Sequence, residues 1–202
     1  HSLRRRQRQM CIRDRFMMGE ILEIKRKDGV ILQGQFKLLE EKDIKDIMRL
    51  QKIVIDALED KQLFAPSEED EFLLYIKELG NVIGCYESES NELIAMGVYG
   101  KLGHRENNYG YDLEMAKEEL LSVGQIESTV VSPEYRGNSL QKKICLELER
   151  ISKNNNDKLL CATVSPYNKY SLKSFLDLGY EIKKDKLKYL SLIHISEPTR
   201  RV

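Results

Sequence analysis

The stretch VVSPEYRGNSLQKKI, residues 130–144, joins an apolar strand-like run to a helix-like run through a short polar turn. The apolar run stops at Pro133, the turn is Arg136–Ser139, and the helical pattern opens with Lys142 and Lys143 in its first turn. Gly and Asn are common in turns of any kind. A strand–turn–helix junction also directs several free backbone N–H groups, and the positive end of the helix dipole, towards one point. The stretch therefore indicates either a plain turn or an anion-binding site, and the rest of the chain has to distinguish them.

Both ends of the chain resemble translated sequencing-adapter DNA. Residues 5–14 and 190–200 match, in frame, translations of the two arms of a transposase-based adapter. A natural basic arm for nucleic acid or for targeting is the alternative interpretation. We assign residues 1–15 and 190–202 to adapter-derived sequence and leave them out of the fold prediction.

The charge balance of the chain depends on these two ends. The whole chain carries 33 basic and 33 acidic residues, whereas residues 16–189 carry 25 basic and 31 acidic ones. The net charge of −6 in this part predicts a poor general binder of nucleic acid or of anionic membranes. No apolar run approaches the ~20 residues that a membrane-spanning helix needs, so we expect neither kind of partner.

The cysteine and histidine content excludes other classes of site. Outside the two ends, the cysteines are Cys85, Cys145 and Cys161, which are widely spaced within apolar runs. This pattern predicts reduced, buried thiols in a cytoplasmic protein, and neither a disulfide framework nor a zinc site. His104 is the one histidine in residues 16–189, so a His-based triad or a multi-His metal site is not favoured, and we expect no metal.

Hydrophobic patterns predict one domain of strands and helices. Strands are predicted at residues 30–39, 81–88, 92–100, 123–131, 159–164 and 180–189. Helices are predicted at residues 42–60, 66–80, 140–151 and 168–179, with a further short helix at 113–121. The main order, β-α-α-β-β-β-α-β-α-β, predicts an α/β (α+β) fold with a mixed central sheet flanked by helices.

This order, with YRGNSLQ after the fourth strand, resembles the GNAT superfamily of N-acetyltransferases. The family signature, Arg/Gln-x-x-Gly-x-Gly/Ala, corresponds to residues 136–141. A second segment, VSPYNKYSLKSFLDLGYE at residues 164–181, is similar to the family's junction of fifth strand and following helix. Two such segments in the right order are far more specific than either alone.

The resemblance sets the expected domain boundaries. It implies an N-acetyltransferase domain at residues 36–189, preceded by an N-terminal extension at residues 16–35. The family fold continues into one more strand after the last one predicted here. Because adapter-like sequence begins at residue 190, we expect that final strand to be missing and the domain to be truncated at its C-terminus.

The resemblance also implies a site for acetyl-CoA, the cosubstrate, whose pyrophosphate is held by backbone amides of the signature. The implied cofactor-binding residues are Thr129, Val130 and Val131 on the fourth strand, Arg136, Gly137, Asn138, Ser139, Leu140 and Gln141 in the signature, and Asn168. A helix N-cap is the other role open to Asn168, and solvated helix charges are the other role open to Lys142 and Lys143.

Two positions depart from the signature. The family usually has Gly where this chain has Ser139, and Gly or Ala where it has Gln141. Serine replaces glycine without strain only where φ is ordinary, so the resemblance requires an ordinary φ at Ser139. The serine hydroxyl is then able to cap the helix or to donate to a phosphate.

Glu127 and Tyr170 are the catalytic residues that the resemblance implies. Glu127 lies on the fourth strand, where many family members carry a carboxylate that takes the proton of the amine; a solvent-facing carboxylate is the alternative. His104 and Glu134 are weaker candidates for the base. Phe175 occupies the position of the family's thiolate-facing tyrosine. Either Tyr170 or Tyr180 therefore supplies the proton, or the thiolate leaves unaided.

The predicted activity is transfer of an acetyl group from acetyl-CoA to a primary amine by direct attack. The acceptor is expected to be a small-molecule or peptide amine, and a homodimer is compatible with this prediction. A non-catalytic CoA-binding sensor or scaffold with the same fold is the alternative. A nucleotide-binding protein is a third class, but the Lys-Ser/Thr pair or dinucleotide glycine pattern that it needs is absent from the sequence.

Overall fold

The computed structural model describes residues 19–188 and 191–198. Its strands are β1 (Ile21–Lys25), β2 (Ile31–Leu38), β3 (Gly80–Glu87), β4 (Leu93–Gly100), β5 (Val123–Val131), β6 (Leu159–Val164), β7 (Tyr180–Lys188) and β8 (Ser191–Pro198). Its helices are α1 (Ile44–Asp56), α2 (Glu69–Leu74), α3 (Leu140–Asn154) and α4 (Lys169–Asp177). A π-helical turn, Tyr75–Leu79, continues α2 as far as β3.

The strands form one sheet in the order β1-β2-β3-β4-β5-β6-β8-β7. β5 and β6 pair in parallel, and the other neighbouring strands described pair antiparallel. A long crossover through α3 connects β5 to β6, as a parallel pair requires. This arrangement confirms the predicted mixed sheet flanked by helices.

The first two helices begin at reciprocal caps and bury one apolar stripe. Glu40 and Asp43 exchange side-chain and backbone hydrogen bonds just before α1, and Glu68 and Glu71 do the same at the start of α2. Along α1 the buried apolar residues are Ile47, Leu50 and Val54, whose spacing of three and four places them on one side of the helix. Within residues 19–188, no helix has the length and apolar character that crossing a membrane requires.

The sheet separates two apolar cores. One core lies between the sheet and the first two helices and includes Leu50, Phe72, Met96, Val98 and Val130. The other lies between the sheet and the last two helices and includes Ile94, Ile126, Ile144, Leu148 and Phe175. β4 passes between both cores, and all eight of its residues are buried.

Gly97 on β4 brings α3 close to the sheet. A Cβ atom at this position would lie 2.3 Å from Cγ2 of Ile144 on α3, closer than two carbon atoms can approach. Because Gly97 has no side chain, α3 lies directly on β4 at this point. The start of α3 consequently sits beside the end of β5.

Two parts of the fold differ from the sequence prediction. β1 (Ile21–Lys25) was not predicted, and it lies within the segment 16–35; it pairs with β2 over five residues. Its short alternation of buried and exposed residues gave little signal. The helix predicted at residues 113–121 is wrong, because that stretch consists of turns followed by a single 3-10 turn, Glu119–Ser122.

β8 (Ser191–Pro198) occupies the place expected for the final strand of the fold. It pairs with β6 on one side and with β7 on the other. Its residues belong to the segment 190–202 that we attribute to adapter DNA. Apolar and polar residues partly alternate in SLIHISEP, and alternation with a period of two suits a strand.

The cysteines of the described residues are buried, as the sequence predicts. They are Cys85, Cys145 and Cys161. Burial raises the pKa of the Cys85 thiol to about 12, since a thiolate is poorly solvated inside the protein. This thiol is therefore inert at neutral pH.

Candidate active site

The candidate site lies where β5 and β6 part, and we call this place the fork. Parallel pairing runs from Val123 and Leu159 to Ile126 and Ala162. Beyond Ile126, β5 remains paired with β4, whereas β6 pairs with β8. The remainder of β5, from Glu127 onward, therefore has one edge without a partner strand in the described part of the chain.

This open edge of β5 presents backbone amides. The N–H of Ser132 donates to the carbonyl of Ile94 on β4 at 2.8 Å. Because N–H groups alternate in direction along a strand, the N–H of Val130 also points towards β4, and those of Thr129 and Val131 point into the fork. Thr129 and Val131 thus offer free donors there.

The turn between β5 and α3 adds a second group of free amides. In the described ranges, no acceptor receives the N–H groups of residues 137–142. The last three belong to the first turn of α3, where no intrahelical partner exists. Free amides at a helix N-terminus suit an anion, so the turn has the groups that an anion-binding site needs.

Ser139 corrects one expectation from the sequence. Its φ of 56° and ψ of 24° lie in the left-handed region, so the ordinary φ expected there is wrong. Its side chain makes no cap hydrogen bond to α3 either. Gly137 has a φ of 93°, and a Cβ there would meet nothing within 4 Å. A glycine is favoured at this position because of its positive φ, and not because a side chain would clash. The loop therefore has two residues with positive φ, Gly137 and Ser139, and only the first of them is a glycine.

The side chain of Asn138 binds the N-terminal hairpin. Its Oδ1 accepts from the N–H of Lys25 at 2.8 Å, and its Nδ2 donates to the carbonyls of Lys25 at 2.7 Å and Tyr135 at 2.9 Å. Nearby, the N–H of Lys27 donates to the carbonyl of Glu134 at 2.8 Å. The side chain of Asn138 is thus committed to β1, and its backbone N–H remains for a ligand.

Gln141 also binds the protein with its side chain. Its Nε2 donates to Thr129 Oγ1 at 3.1 Å and to Ser171 Oγ at 2.8 Å. Asn168 Oδ1 accepts from the N–H of Ser171 at 3.1 Å, which confirms the N-cap role of Asn168. Gln141 therefore links α3 to β5 and to the start of α4, beside the cofactor-binding positions that the sequence predicts.

The basic residues near the turn differ in their surroundings. Arg136 is exposed. Lys142 forms an ion pair of 2.5 Å with Asp177 on α4, and Lys143 is half-buried, so that burial lowers the pKa of its ammonium group below the ordinary value. Neither lysine is an isolated charge in solvent.

Glu127 lies at a bulge where the fork begins. Val98 pairs with Ser128 and Tyr99 with Ile126, which leaves Glu127 as the extra residue of β5. Its side chain is half-buried. Gln125 Nε2 donates to its Oε1, and the hydroxyl of Tyr109 lies 3.4 Å from its Oε2. Glu127 is therefore partly exposed and also hydrogen-bonded at the fork.

Tyr109 and Gln125 are site residues that sequence reasoning missed. Tyr109 is buried, and its hydroxyl also lies 3.3 Å from Thr163 Oγ1 on β6. Gln125 Oε1 accepts from the N–H of Tyr109 at 3.0 Å, and Gln125 Nε2 donates to the carbonyl of Asn107 at 3.2 Å. The available signal was an amide in a strand predicted to be buried, because such a group needs hydrogen-bond partners.

A cavity of about 450 Å³ lies near Glu127, and Asn107 of its lining accepts a hydrogen bond from Gln125, the neighbour of Glu127. Its lining consists of Glu71, Leu74, Tyr75, Leu79, His104, Arg105, Glu106 and Asn107. A Cβ atom at Gly100 would lie 2.8 Å from Tyr75 Cε1 and 3.6 Å from Glu127 Cγ, so the ring of Tyr75 is a close neighbour of Glu127. Of the weaker candidates for the base, His104 lines this cavity and Glu134 is exposed on the turn after β5.

Residues 42–180 match the sequence model of the acetyltransferase (GNAT) family. The match covers well over half of the chain. The chain belongs to the GNAT family. The resemblance drawn from residues 136–141 and 164–181 is therefore confirmed. No curated protein sequence matches this GNAT protein significantly.

Solved structures share the fold of this GNAT protein at low sequence identity. The NatC complex bound to Gag peptide and CoA aligns with a TM-score of 0.63 and 13% identity, over 82% of this chain and 97% of that one. The ribosomal-protein-S18-alanine N-acetyltransferase from Escherichia coli gives 0.60 and 13%, over 82% and 92%. A putative acetyltransferase from Salmonella typhimurium with its cofactor acetyl-CoA gives 0.58 and 13%, over 81% and 92%. At these identities the likeness shows the fold alone.

The aromatic residues of the second motif are divided between core and surface. Phe175 is 3% exposed and packs edge-on against Tyr180, with ring centroids 5.1 Å apart. Tyr180 is also buried, and burial raises the pKa of its phenol well above the ordinary value. Tyr170, by contrast, is 89% exposed in the first turn of α4. Phe175 is therefore a core residue of this GNAT protein, and the acid role of Tyr170 stays a prediction.

Proposed function

We propose that this GNAT protein transfers an acetyl group from acetyl-CoA to a primary amine by direct attack. The observation that carries the proposal is the open edge of β5 along the fork, which we call the groove. The free amides of residues 137–142 lie at one end of it, and Glu127 with the adjoining cavity lies at the other. A two-substrate transfer needs both ends on one surface.

The chain's own groups fit an anionic thioester substrate. The amides at the start of α3, with the helix dipole behind them, suit the diphosphate of acetyl-CoA. The N–H groups of Thr129 and Val131 suit the extended arm of the molecule and the thioester oxygen, on which negative charge develops during attack. In the part of the chain that the structure describes, no group of three or more His, Cys, Asp or Glu residues could hold a metal ion, and the proposed reaction uses none.

Glu127 is the proposed base. Its carboxylate receives hydrogen bonds from Gln125 and faces Tyr109, which fix its position at the end of the groove. An amine attacks only after losing a proton from its ammonium form, and a carboxylate within hydrogen-bond reach takes that proton directly or through water. The bulge at Glu127 supports this role, because bulges commonly redirect a side chain beside an active site.

The cavity beside Glu127 is the proposed acceptor site. A volume of about 450 Å³ suits a small amine or the first residues of a peptide. Glu71 and Glu106 supply negative charge for an ammonium group, and Leu74, Tyr75 and Leu79 supply an apolar wall. One structural neighbour is bound to a peptide, and another is named a ribosomal-protein-S18-alanine N-acetyltransferase, so a peptide N-terminus belongs among the acceptors tested. The burial of the three cysteines fits the cytoplasmic location that we propose.

A CoA-binding sensor or scaffold without turnover is the second candidate. The observation that favours it is Phe175, which is buried in the core where many relatives carry a tyrosine that faces the thiolate. Such a protein would bind CoA and acetyl-CoA alike and would release no thiol.

One sequence of measurements separates the two candidates. Calorimetric titration with acetyl-CoA is followed by a thiol-release assay against small primary amines, amino acids and short peptides with free N-termini. Binding together with amine-dependent thiol release supports the transferase. Binding without thiol release across the panel supports the sensor, and absence of binding contradicts both.

A further inference from the structure

We infer that Tyr109 is the general acid that protonates the departing thiolate, in the role that Phe175 cannot fill. The inference rests on the proposed function and names a further catalytic residue for it. The hydroxyl group of Tyr109 has two close neighbours. Tyr109 Oη lies 3.4 Å from Glu127 Oε2 and 3.3 Å from Thr163 Oγ1.

These two partners lie on opposite sides of the fork. Ile126 and Ala162 are the last paired residues of β5 and β6, and Glu127 and Thr163 are the next residue on each strand. The hydroxyl of Tyr109 therefore bridges the strands at the point where they part. This is also the inner end of the groove, where the reacting carbonyl must come near Glu127.

The loop that carries Tyr109 is held by two buried amide side chains. Asn108 Nδ2 donates to the carbonyls of Gly103 at 2.7 Å and Leu120 at 3.1 Å, and its Oδ1 accepts from the N–H of Gly110 at 2.8 Å. On the other side, Gln125 fixes the N–H of Tyr109 at 3.0 Å. Residues placed for catalysis need this kind of support, because small displacements weaken proton transfer.

The alternative phenols do not share this geometry. Tyr170 is 89% exposed on α4, and the ring of Tyr180 packs edge-on against Phe175 in the core. Tyr109 is the phenol that contacts the proposed base among the residues described.

Glu127 and Tyr109 together supply and recover the protons that the reaction needs. The ammonium form of the substrate first loses one proton to solvent through Glu127. The nitrogen of the neutral amine then forms the C–N bond to the acetyl carbon while a second proton passes to Glu127. As the C–S bond breaks, Tyr109 gives its hydroxyl proton to the sulfur. The proton held by Glu127 then returns to the oxygen of Tyr109, and both groups regain their starting states. The products are the amide and the free thiol of CoA.

The test compares two tyrosines of the same loop. Tyr109→Phe removes the bridging hydroxyl, and Tyr111→Phe is the matched control, because the Tyr111 hydroxyl donates to the carbonyl of His104 at 3.1 Å away from the fork. Thiols are moderately acidic leaving groups, so we expect kcat of Tyr109→Phe to fall about tenfold, below the usual range for acid catalysis. We also expect an unchanged KM for acetyl-CoA and loss of the basic limb of the kcat–pH profile, with wild-type behaviour in the control.

The outcomes distinguish this inference from the proposed function. A wild-type protein that binds CoA without turnover overturns the proposed function and the inference with it. An active wild type, with Tyr109→Phe within twofold in kcat and a retained basic limb, overturns the inference alone. If Tyr109→Phe does not fold, Thr163→Val replaces it in the comparison. A fall of about threefold in kcat at constant KM then supports the inference, and an unchanged kcat overturns it.

Discussion

The two ends of the β5–β6 groove are built from different parts of the chain. At the cofactor end, the side chains of Asn138 and Gln141 bind the protein, and backbone amides of residues 137–142 remain for the ligand. At the acceptor end, the available groups are side chains, above all those of Glu127 and Tyr109. A backbone site tolerates substitutions such as Ser139 and Gln141, whereas a side-chain site is sensitive to single changes.

The strongest consequence of this difference concerns Glu127. We expect Glu127→Gln to lower kcat by about 10²–10⁴-fold and to flatten the acidic limb of the kcat–pH profile. The affinity for CoA should stay within twofold, because the cofactor end does not use this side chain. Glu134→Gln is the control, since Glu134 is exposed on the turn after β5. A retained acidic limb in Glu127→Gln would remove Glu127 from the role of base.

At the cofactor end, a large effect requires a new charge. Ser139→Asp places a carboxylate beside the free amides, and we expect the Kd for CoA to rise about tenfold to a hundredfold by charge repulsion. Ser139→Asn is the matched control, because Asn has the same shape and also tolerates the left-handed backbone. Calorimetry provides both values. Equal affinities for the Asp variant and the wild type would mean that CoA does not bind at this turn.

A smaller effect should follow when the contact between Asn138 and β1 is removed. Asn138→Ala deletes three hydrogen bonds, two of them to the backbone of Lys25. We expect a rise of about fivefold in the Kd for CoA, equivalent to roughly 1 kcal/mol of lost positioning, with an unchanged KM for the amine. Gln35→Ala is the control, since Gln35 Nε2 donates to the carbonyl of Gly19 at 2.7 Å, away from the turn. An amine KM that rises with the CoA Kd would contradict the separation of the two ends.

The smallest effect concerns stability. Ser139→Gly relieves the left-handed strain at φ 56°, which is worth about 1 kcal/mol or slightly more. The greater freedom of glycine in the unfolded chain reduces this gain, so we expect a net increase of about 0.5 kcal/mol in the free energy of unfolding. Urea denaturation measures the change, and Ser139→Ala should lower stability in the same experiment. A destabilised Gly variant would mean that the serine side chain has a stabilising role.

Prediction of the site from sequence succeeded where backbone geometry was encoded in a short local segment. The turn at residues 136–141 and the N-cap at Asn168 were both found from the sequence. Glu127 was predicted because it interrupts an apolar strand, and its role as the base stays a prediction. Tyr109 was missed, because its role depends on Gln125 and on Thr163, which lies 54 positions away in the chain.

Prediction of the fold was limited in the same way, by contacts between distant parts of the chain. Helices and strands with clear periodicity, such as α1 and β5, were predicted near their observed bounds. The composition of residues 113–121 favours a helix, although the structure has turns there. In the structure, the backbone around it is bonded by Asn108 and by turns, and these tertiary contacts override a weak local preference.

The sequence by itself determined the order of the main elements, the position of the turn between β5 and α3 and the burial of the three cysteines. Each follows from local periodicity, turn chemistry or apolar surroundings. Tertiary structure alone decided the left-handed backbone at Ser139, the contact of Asn138 with Lys25, and the meeting of Glu127, Tyr109 and Thr163 at the fork. The physical reason is that these features depend on how distant segments pack across the sheet, and no local pattern of residues records that packing.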